Sequence, residues 1–178
     1  MTIQIDSREK AKKIEKIIST FKDNNIDYFV SKLYIGDYVE LHNPLLVIDR
    51  KHNLNELCAN TSDVPKKDAN GRFKRYSDGR LQTDLHRFTD ELKRAQEHGI
   101  KLVILCEHGG EIKNLEDVKK WNNPRLKESP LAVSGERLFR KLKAISNKYD
   151  VRFEFCDKAH TGQRIIEILE EGQKQKNE

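Results

Sequence analysis

The sequence has no long hydrophobic run and no export signal. Its longest uninterrupted apolar stretch, Leu102–Cys106, is far shorter than the roughly 20 residues that cross a bilayer, which excludes a membrane-spanning helix. The first residues show no basic segment followed by an apolar one, so nothing directs the chain to secretion. We therefore expect a cytoplasmic protein without a membrane partner.

The three cysteines are single and widely spaced, and none forms a Cys-x-x-Cys pair. Zinc-binding and thiol-redox motifs are therefore excluded, and Cys106 and Cys156, each at the end of an apolar run, are expected to be buried thiols. A glycine-rich loop that cradles phosphates is also missing, which disfavours a small-molecule phosphohydrolase.

Charge, in contrast, is abundant. The chain has 178 residues, enough for one domain, of which 35% are charged and 36% hydrophobic. Lysine and arginine outnumber aspartate and glutamate by 34 to 29, which gives a formal net charge of +5. This balance predicts a folded domain with a strongly solvated surface and favours a polyanionic partner.

Hydrophobic periodicity predicts an α/β fold in which helices flank a mixed β-sheet. A short strand over 3–5 is followed by helical spacing over 14–21, and apolar segments over 28–48 predict an antiparallel meander. The second half alternates amphipathic helices with short strands, over 85–95, 102–106, 138–149, 151–155 and 165–169.

Two segments interrupt this alternation. Residues 60–80 lose the apolar periodicity and are rich in Gly, Asp and Lys, so we expect a long basic loop there. Residues 109–133 predict an irregular insertion with a short helix that ends near Trp121. A single domain is predicted over 1–171, followed by a frayed polar tail over 172–178.

The segment that ends at Lys51 carries the most informative pattern. If its two strands turn at Asn43, Asp37 lies opposite Asp49, and the Cβ atoms of directly opposed residues are about 4.5–5.5 Å apart. Because side chains alternate along a strand, Lys51 shares the face of Asp49, whereas Arg50 points to the other face. The hairpin therefore presents two carboxylates and one ammonium group together.

Such a group of side chains suits phosphodiester hydrolysis. Mg²⁺ prefers carboxylate oxygens and activates water for attack on phosphorus, and a lysine can position that water and neutralise charge on the phosphate. A solvated hairpin with incidental charges explains the same residues equally well, and a register slip of one residue would separate them.

A family resemblance favours the chemical interpretation. Gly36-Asp37, followed after the hairpin by the run from Val47 to Lys51, resembles the Gly-Asp … Glu-Arg-Lys signature of XPF-type structure-specific endonuclease domains, a branch of the PD-(D/E)XK nucleases. The opening strand and Asp6-Ser7-Arg8-Glu9 resemble the family's Asp-x-Arg-Glu motif, and 102–107 resembles a later strand that ends in glutamate.

The resemblance implies a restriction-endonuclease-like α/β fold and a DNA endonuclease that uses Mg²⁺ or Mn²⁺ to cut branched or otherwise structured DNA. It also implies a homodimer or heterodimer through the C-terminal helices that contain Leu138 and Ile165. The site residues that it implies are the metal ligands Asp37 and Asp49, the catalytic Lys51, the acidic Asp6 and Glu9 lining the site, and Arg50 as the motif's arginine.

The sequence departs from the family pattern in several places. Asp49 stands where the family has glutamate, and Asn55 stands where an acid usually follows the lysine by four residues. The connection over 60–79 is longer, and the sequence contains no tandem helix-hairpin-helix module, so the motif alone does not imply selectivity for branched DNA. An amide cannot neutralise a divalent ion, which favours the alternative of a catalytically weak or inactive DNA-binding scaffold.

Several acidic and histidine residues have a second interpretation. Asp6 and Glu9 also have the spacing of a capping box at the start of the first helix. Glu107 is either a solvated acid at a strand end or a residue near the metal, and His86 is expected on a helix surface rather than at the phosphate.

The basic loop is the expected nucleic-acid contact, unless it is only a flexible, solubilising segment. Its cations would release counterions from DNA phosphates, and its aromatic side chains can stack on exposed bases. The predicted contact residues are Lys66, Lys67, Arg72, Lys74, Arg75, Tyr76 and Arg80.

Overall fold

A computed structural model describes residues 1–177 of the chain. In these residues, six strands form one mixed sheet in the order β2-β1-β3-β4-β5-β6. The strands are β1 (Thr2–Asp6), β2 (Asp27–Ser31), β3 (Tyr38–Glu40), β4 (Asn43–Lys51), β5 (Lys101–Cys106) and β6 (Arg152–Phe155).

Helices cover both faces of this sheet. They are α1 (Ala11–Asp23), α2 (Leu54–Asn60), α3 (Asp84–Glu97), α4 (Gly135–Tyr149) and α5 (Thr161–Asn177). Short 3₁₀ turns occupy Glu116–Lys120, Pro124–Lys127 and Lys158–His160, the first two within the predicted irregular insertion. Among the described residues, none of these helices combines the length and the apolarity needed to cross a membrane.

The predicted antiparallel meander is wrong in its first strand. β2 pairs with β1 in parallel, and α1 provides the crossover that parallel neighbours require. Only β1, β3 and β4 form antiparallel neighbours, and β4, β5 and β6 continue the sheet in parallel. The apolar pattern over 28–48 predicted strands but contained no information about which strand pairs with β2.

The core has two layers, one on each side of the sheet. Leu54 of α2, Phe88 of α3 and Leu138 of α4 belong to one buried cluster, whereas Phe21 of α1 and Ile165 of α5 belong to the other. Leu138 and Ile165 are both fully buried in the chain's own core. The subunit contact predicted for their helices therefore stays a prediction that these two side chains do not support.

The structure differs from the sequence-based expectations in two further segments. Helix α2 was not predicted, since it is only seven residues long and follows β4 almost immediately. Helix α5 continues to Asn177 and includes most of the segment predicted as a polar tail, whereas Glu178 lies outside the described residues. Cys106 is buried, as expected, whereas Cys156, which was also expected to be buried, is only partly so, and all three cysteines are free thiols.

Candidate active site

A tight glycine turn fixes the position of Asp37. Gly36 has φ of +66°, and a Cβ atom on it would lie 2.4 Å from Val47 Cγ1 and 2.9 Å from the Ile48 carbonyl oxygen, so only glycine fits. The Asp37 N–H donates to the Ile48 carbonyl and its own carbonyl accepts from the Asp6 N–H, both at 2.8 Å. Asp37 is thereby held between β1 and β4.

The hairpin register agrees with the predicted alignment of the two aspartates. Tyr38 pairs with Ile48 and Val39 with Val47, and the next step of that register sets Asp37 against Asp49. The register shifts only between Val39 and the following residue, on the side of the turn. This irregularity does not reach the acidic end of the hairpin.

Asp49 and Lys51 form a buried ion pair at the end of β4. Lys51 Nζ donates to Asp49 Oδ1 at 2.7 Å and lies 5.9 Å from the ring centroid of Phe88 on α3. Burial by itself lowers the pKa of Lys51, but the charge and hydrogen bond of Asp49 outweigh this effect and hold that pKa above its usual value. Lys51 is therefore an ammonium group at neutral pH.

Asp37 and Asp49 are close enough to repel each other. Burial and the charge of Asp49 raise the pKa of Asp37 to about 8, although the backbone hydrogen bond from Arg50 opposes the shift. That bond runs from the Arg50 N–H to Asp37 Oδ2 over 2.8 Å. One of these two neighbouring carboxylates has a raised pKa, so a cation bound between them would stabilise the state in which both are ionised.

The observation that supports a divalent-ion site is one buried carboxylate oxygen without a hydrogen-bond partner. Asp49 Oδ2 is buried and has no hydrogen-bond partner in the part of the chain that the structure describes. The residues 1–177 contain no cluster of three or more His, Cys, Asp or Glu side chains arranged around a metal position. Two carboxylates fit Mg²⁺, which usually keeps several waters in its coordination shell and needs few protein ligands.

Arg50 and Glu9 belong to the opposite face of β4. The Arg50 guanidinium donates to Glu9 and, at 2.9 Å, to Glu107, which also accepts from Thr161 Oγ1 at 3.0 Å. Tyr38 donates its hydroxyl to Glu9 at 3.2 Å. This network joins β3, β4 and the end of β5 to α5. It engages the Glu9 carboxylate and the Arg50 guanidinium, although the charge of Glu9 still contributes to the raised pKa of Asp37.

Asp6 is also occupied, and it is not a helix cap. Its carboxylate accepts from the Leu33 N–H at 2.6 Å and from the Arg8 N–H and Nε at 2.7 Å. Burial raises the pKa of Asp6, but the hydrogen bonds from Arg8 outweigh it and lower that pKa below the usual value. The capping-box interpretation is wrong, because α1 begins after Lys10 and has no side-chain cap.

Asn55 belongs to helix α2, which begins with a side-chain cap. Asn53 caps the helix by accepting from the Glu56 N–H at 3.0 Å, and the Glu56 carboxylate accepts in return from the His52 N–H at 2.8 Å. The Glu56 carboxylate thus accepts from the residue before the cap rather than from Asn53 itself, which makes this a variant of the capping box. The spacing of Asn53 and Glu56 was the signal for α2 that the sequence analysis missed. Asn55 itself is exposed on the first turn of α2.

The basic loop and the Gly36 turn both contact helix α3. Arg80 reaches Asp90 of α3 at 3.9 Å, and the adjacent Glu91 accepts from the Gly36 N–H at 3.4 Å. One of the predicted DNA-contact residues, Arg80, is thus linked through α3 to the Gly36 turn. Phe88, which lies beside Lys51, is a neighbour of the site that the sequence analysis did not assign.

Comparisons with known proteins agree on one fold. A family model described as the ERCC4 domain matches residues 5–169. Two solved structures are similar to the chain: "XPF from Aeropyrum pernix", at 15% identity and a TM-score of 0.60, and "XPF from Aeropyrum pernix, complex with DNA", at 16% and 0.59. Each comparison covers 97% of this chain, which spans 65% of the solved one. Among curated proteins, no match was found.

Proposed function

Because the chain belongs to the ERCC4 domain family, whose model covers residues 5–169, we propose that it is a metal-dependent DNA endonuclease. Membership of this family confirms the resemblance to XPF-type nuclease domains and the restriction-endonuclease-like fold. The observation that carries the proposal is the Asp49 side chain, in which one oxygen holds Lys51 and the other is buried without a partner. We propose that the substrate is branched or otherwise structured DNA and that the protein acts inside the cell.

Asp37 and Asp49 are the residues that would hold the divalent ion, Mg²⁺ or Mn²⁺. When bound, such an ion supplies Lewis-acid activation and neutralises charge on the phosphate. The protein contributes a preformed position, because the Gly36 turn and β4 fix both carboxylates through backbone hydrogen bonds. Asp37 must lose its proton to take part, since its pKa lies near 8 without a cation.

Lys51 has the role of stabilising the charge that develops on the scissile phosphate. Its ammonium group is held by Asp49 and by the face of Phe88, so it need not reorganise during the reaction. In the hydrolysis, a water oxygen bonds to phosphorus while one P–O ester bond breaks, which leaves a phosphomonoester at one end and a hydroxyl at the other.

The scaffold alternative remains a second candidate because of Asn55. This residue is an amide, it is exposed, and no third acidic side chain completes a metal cluster within residues 1–177. A scaffold of this kind would bind DNA with the same fold and cut none. The two functions differ in a single measurable property, which is metal-dependent cleavage.

The test is cleavage of labelled branched, single-stranded and duplex DNA in Mg²⁺ or Mn²⁺ and in EDTA. We expect metal-dependent products from the wild-type chain, and a loss of at least about 100-fold in rate for Asp49→Asn and Lys51→Met with DNA affinity retained. Asp27→Asn, which makes the same change on the exposed strand β2, is the matched control and retains activity. Absence of cleavage in every metal and substrate would establish the scaffold.

A further inference from the structure

The basic loop contains a repeat of one turn. Its two copies, Lys67–Phe73 and Arg75–Leu81, share a basic first residue, Asn or Asp before glycine, then arginine and a hydrophobic residue. In both copies the first and last residues form an isolated β-bridge. The glycines, Gly71 and Gly79, have φ of +77° and +84°. Equivalent positions lie eight residues apart, a period that the sequence analysis overlooked.

Backbone hydrogen bonds lock the two turns together. The Lys74 N–H donates to the Lys66 carbonyl, the Gln82 N–H to the Lys74 carbonyl and the Lys66 N–H to the Gln82 carbonyl, at 2.8–2.9 Å. The three residues occupy equivalent positions of the repeat, so the bonds close a ring. The loop is therefore a built structural unit, whose backbone is held in place by these bonds.

The second turn is anchored to the body of the protein. Arg80 pairs with Asp78 at 2.6 Å and with Asp90 of α3 at 3.9 Å. Tyr76 lies beneath the Arg80 guanidinium at 5.4 Å and packs against His86 of α3, with 6.4 Å between ring centroids. The cation and the aromatic ring of this turn are thus both engaged by the chain itself.

Among the described residues, α3 makes no such contact with Arg72 and Phe73 of the first turn or with the adjacent Lys74. Arg72 and Lys74 are exposed, and their side chains have no hydrogen-bond or ion-pair partner in residues 1–177. Phe73 is 54% exposed, and its ring is contacted by the Lys67 ammonium at 5.1 Å from the centroid. An ammonium group covers only one face of a ring, so the other is available to a planar partner.

We propose that the Lys67–Phe73 turn binds a single-stranded segment of the DNA substrate. Phe73 stacks on an unpaired base, and Arg72 and Lys74 contact the phosphates on either side of it. Cations interleaved with an exposed aromatic ring are the usual means of holding a single strand, whereas duplex binding needs the cations alone. The inference rests on the proposed function and deepens it, because it selects substrates with unpaired bases near the scissile phosphate.

The repeat itself supplies the matched variants. Phe73→Leu installs the residue that the second turn has at the equivalent position, Leu81, and preserves a hydrophobic contact at the β-bridge. In EDTA, with fluorescence anisotropy on an oligothymidylate and on a blunt duplex, Phe73→Leu should weaken single-strand binding about tenfold and duplex binding less than about twofold. Arg72→Gln should weaken both, because phosphates are common to both.

A second variant keeps the test independent of folding defects. Phe73→Trp retains an aromatic ring, so it should keep single-strand affinity, and its fluorescence should be quenched when the oligothymidylate binds. The native Trp121 is buried and provides an internal reference. Equal losses on both DNA forms with Phe73→Leu, or an unquenched Trp at position 73, would overturn the stacking role.

The outcomes separate this inference from the proposed function. Binding is measured in EDTA, where no metal-dependent cleavage occurs. If Phe73→Leu loses single-strand affinity while the wild-type chain cuts nothing, the inference stands and the endonuclease proposal fails. If cleavage depends on metal but Phe73→Leu binds like the wild type, the endonuclease proposal stands and the inference fails.

Discussion

At the scale of single residues, Asp37 couples the site to pH. Its pKa of about 8 lies above that of an aspartate in an unfolded chain, so the folded, metal-free protein binds the extra proton between these two values. The contribution of Asp37 to the stability of the fold is therefore complete below about pH 4, and it decreases as the pH rises toward 8.

This shift gives the first prediction. In EDTA, the free energy of unfolding should fall between pH 5 and 8 by up to about 1.4 kcal/mol per pH unit from this group alone. Asp37→Asn should flatten the profile, because an amide does not titrate, whereas Asp27→Asn on the exposed strand β2 should not. Urea denaturation at several pH values measures both, and identical profiles for wild type and Asp37→Asn would contradict the shift.

Gly36 gives the second prediction at this scale. Gly36→Ala should destabilise the protein by about 2–4 kcal/mol, because it adds left-handed backbone strain to a collision with β4. Gly99→Ala is the matched control, since Gly99 has a similar φ of +67° but nothing within 4 Å of the added Cβ. Its cost should be only the strain, about 1–2 kcal/mol. Equal losses in thermal denaturation would show that the close approach at Gly36 has no energetic effect.

The sequence predicted the residues of the site better than their surroundings. Alternation along β4 was sufficient to place Asp49 and Lys51 on one face and Arg50 on the other, because that rule depends only on strand geometry. It could not assign Leu33 as a partner of Asp6 or Arg50 as a partner of Glu9, since both reach them through the tertiary fold. Arg8, the other partner of Asp6, is a local neighbour two residues away. The roles assigned to these residues in catalysis stay predictions.

At the scale of elements, β4 uses its two faces for different purposes. Lys51 and Asp49 lie on the side of α3 and the Gly36 turn, while Arg50 pairs with Glu9 and Glu107 on the side of α5. The Arg50 side chain is 1% exposed and that of Glu107 2%, whereas Glu9 is partly exposed. Loss of Arg50 would therefore leave at least one charged carboxylate buried without its cation, which a surface ion pair would not.

Arg50→Met should therefore cost about 3–5 kcal/mol of stability, because it leaves the buried Glu107 and the partly buried Glu9 without their shared cation. Arg164→Met is the control, because it removes a guanidinium that also binds several carboxylates but at the partly exposed surface of α5, where the cost should be about 1 kcal/mol or less. Urea denaturation at neutral pH gives both values. A cost for Arg50→Met no larger than that of Arg164→Met would contradict the structural role.

Element types were predictable where the periodicity was long, and connections were not. Helices α1, α3 and α4 follow directly from their apolar stripes, which are buried as expected. Parallel pairing of β2 with β1 depends on how α1 packs across the sheet. The residues of β2 alone contain no pattern that identifies this partner. The structure of the paired turns in the basic loop was likewise not predictable, because it is held by hydrogen bonds between backbone groups that lie 8–16 residues apart in the sequence.

At the scale of the whole molecule, the net charge of +5 predicts salt-dependent DNA binding. The unpaired cations of the first turn should contribute directly to that dependence. For a single strand, Arg72→Gln combined with Lys74→Gln should reduce the slope of log affinity against log salt by about 1.4, or about 0.7 for each phosphate contact.

The control changes the net charge equally on a different surface. Lys16→Gln combined with Lys22→Gln removes two exposed cations of α1, and should leave the slope unchanged within error. Anisotropy titrations across a range of potassium chloride concentrations measure both slopes. Equal reductions would mean that overall charge, rather than the position of the loop cations, determines the affinity.

The separation of the two faces of β4 also bears on how such domains diverge. In a duplicated gene, loss of both Asp49 and Lys51 leaves no unpaired buried charge at this site and keeps the Arg50 network, and with it the fold. Such a copy would lack the proposed cleavage and would still present the same DNA-binding surface. Loss of Arg50, in contrast, destabilises the fold itself, so the inactive copies expected to persist are those that changed at the Asp49–Lys51 pair.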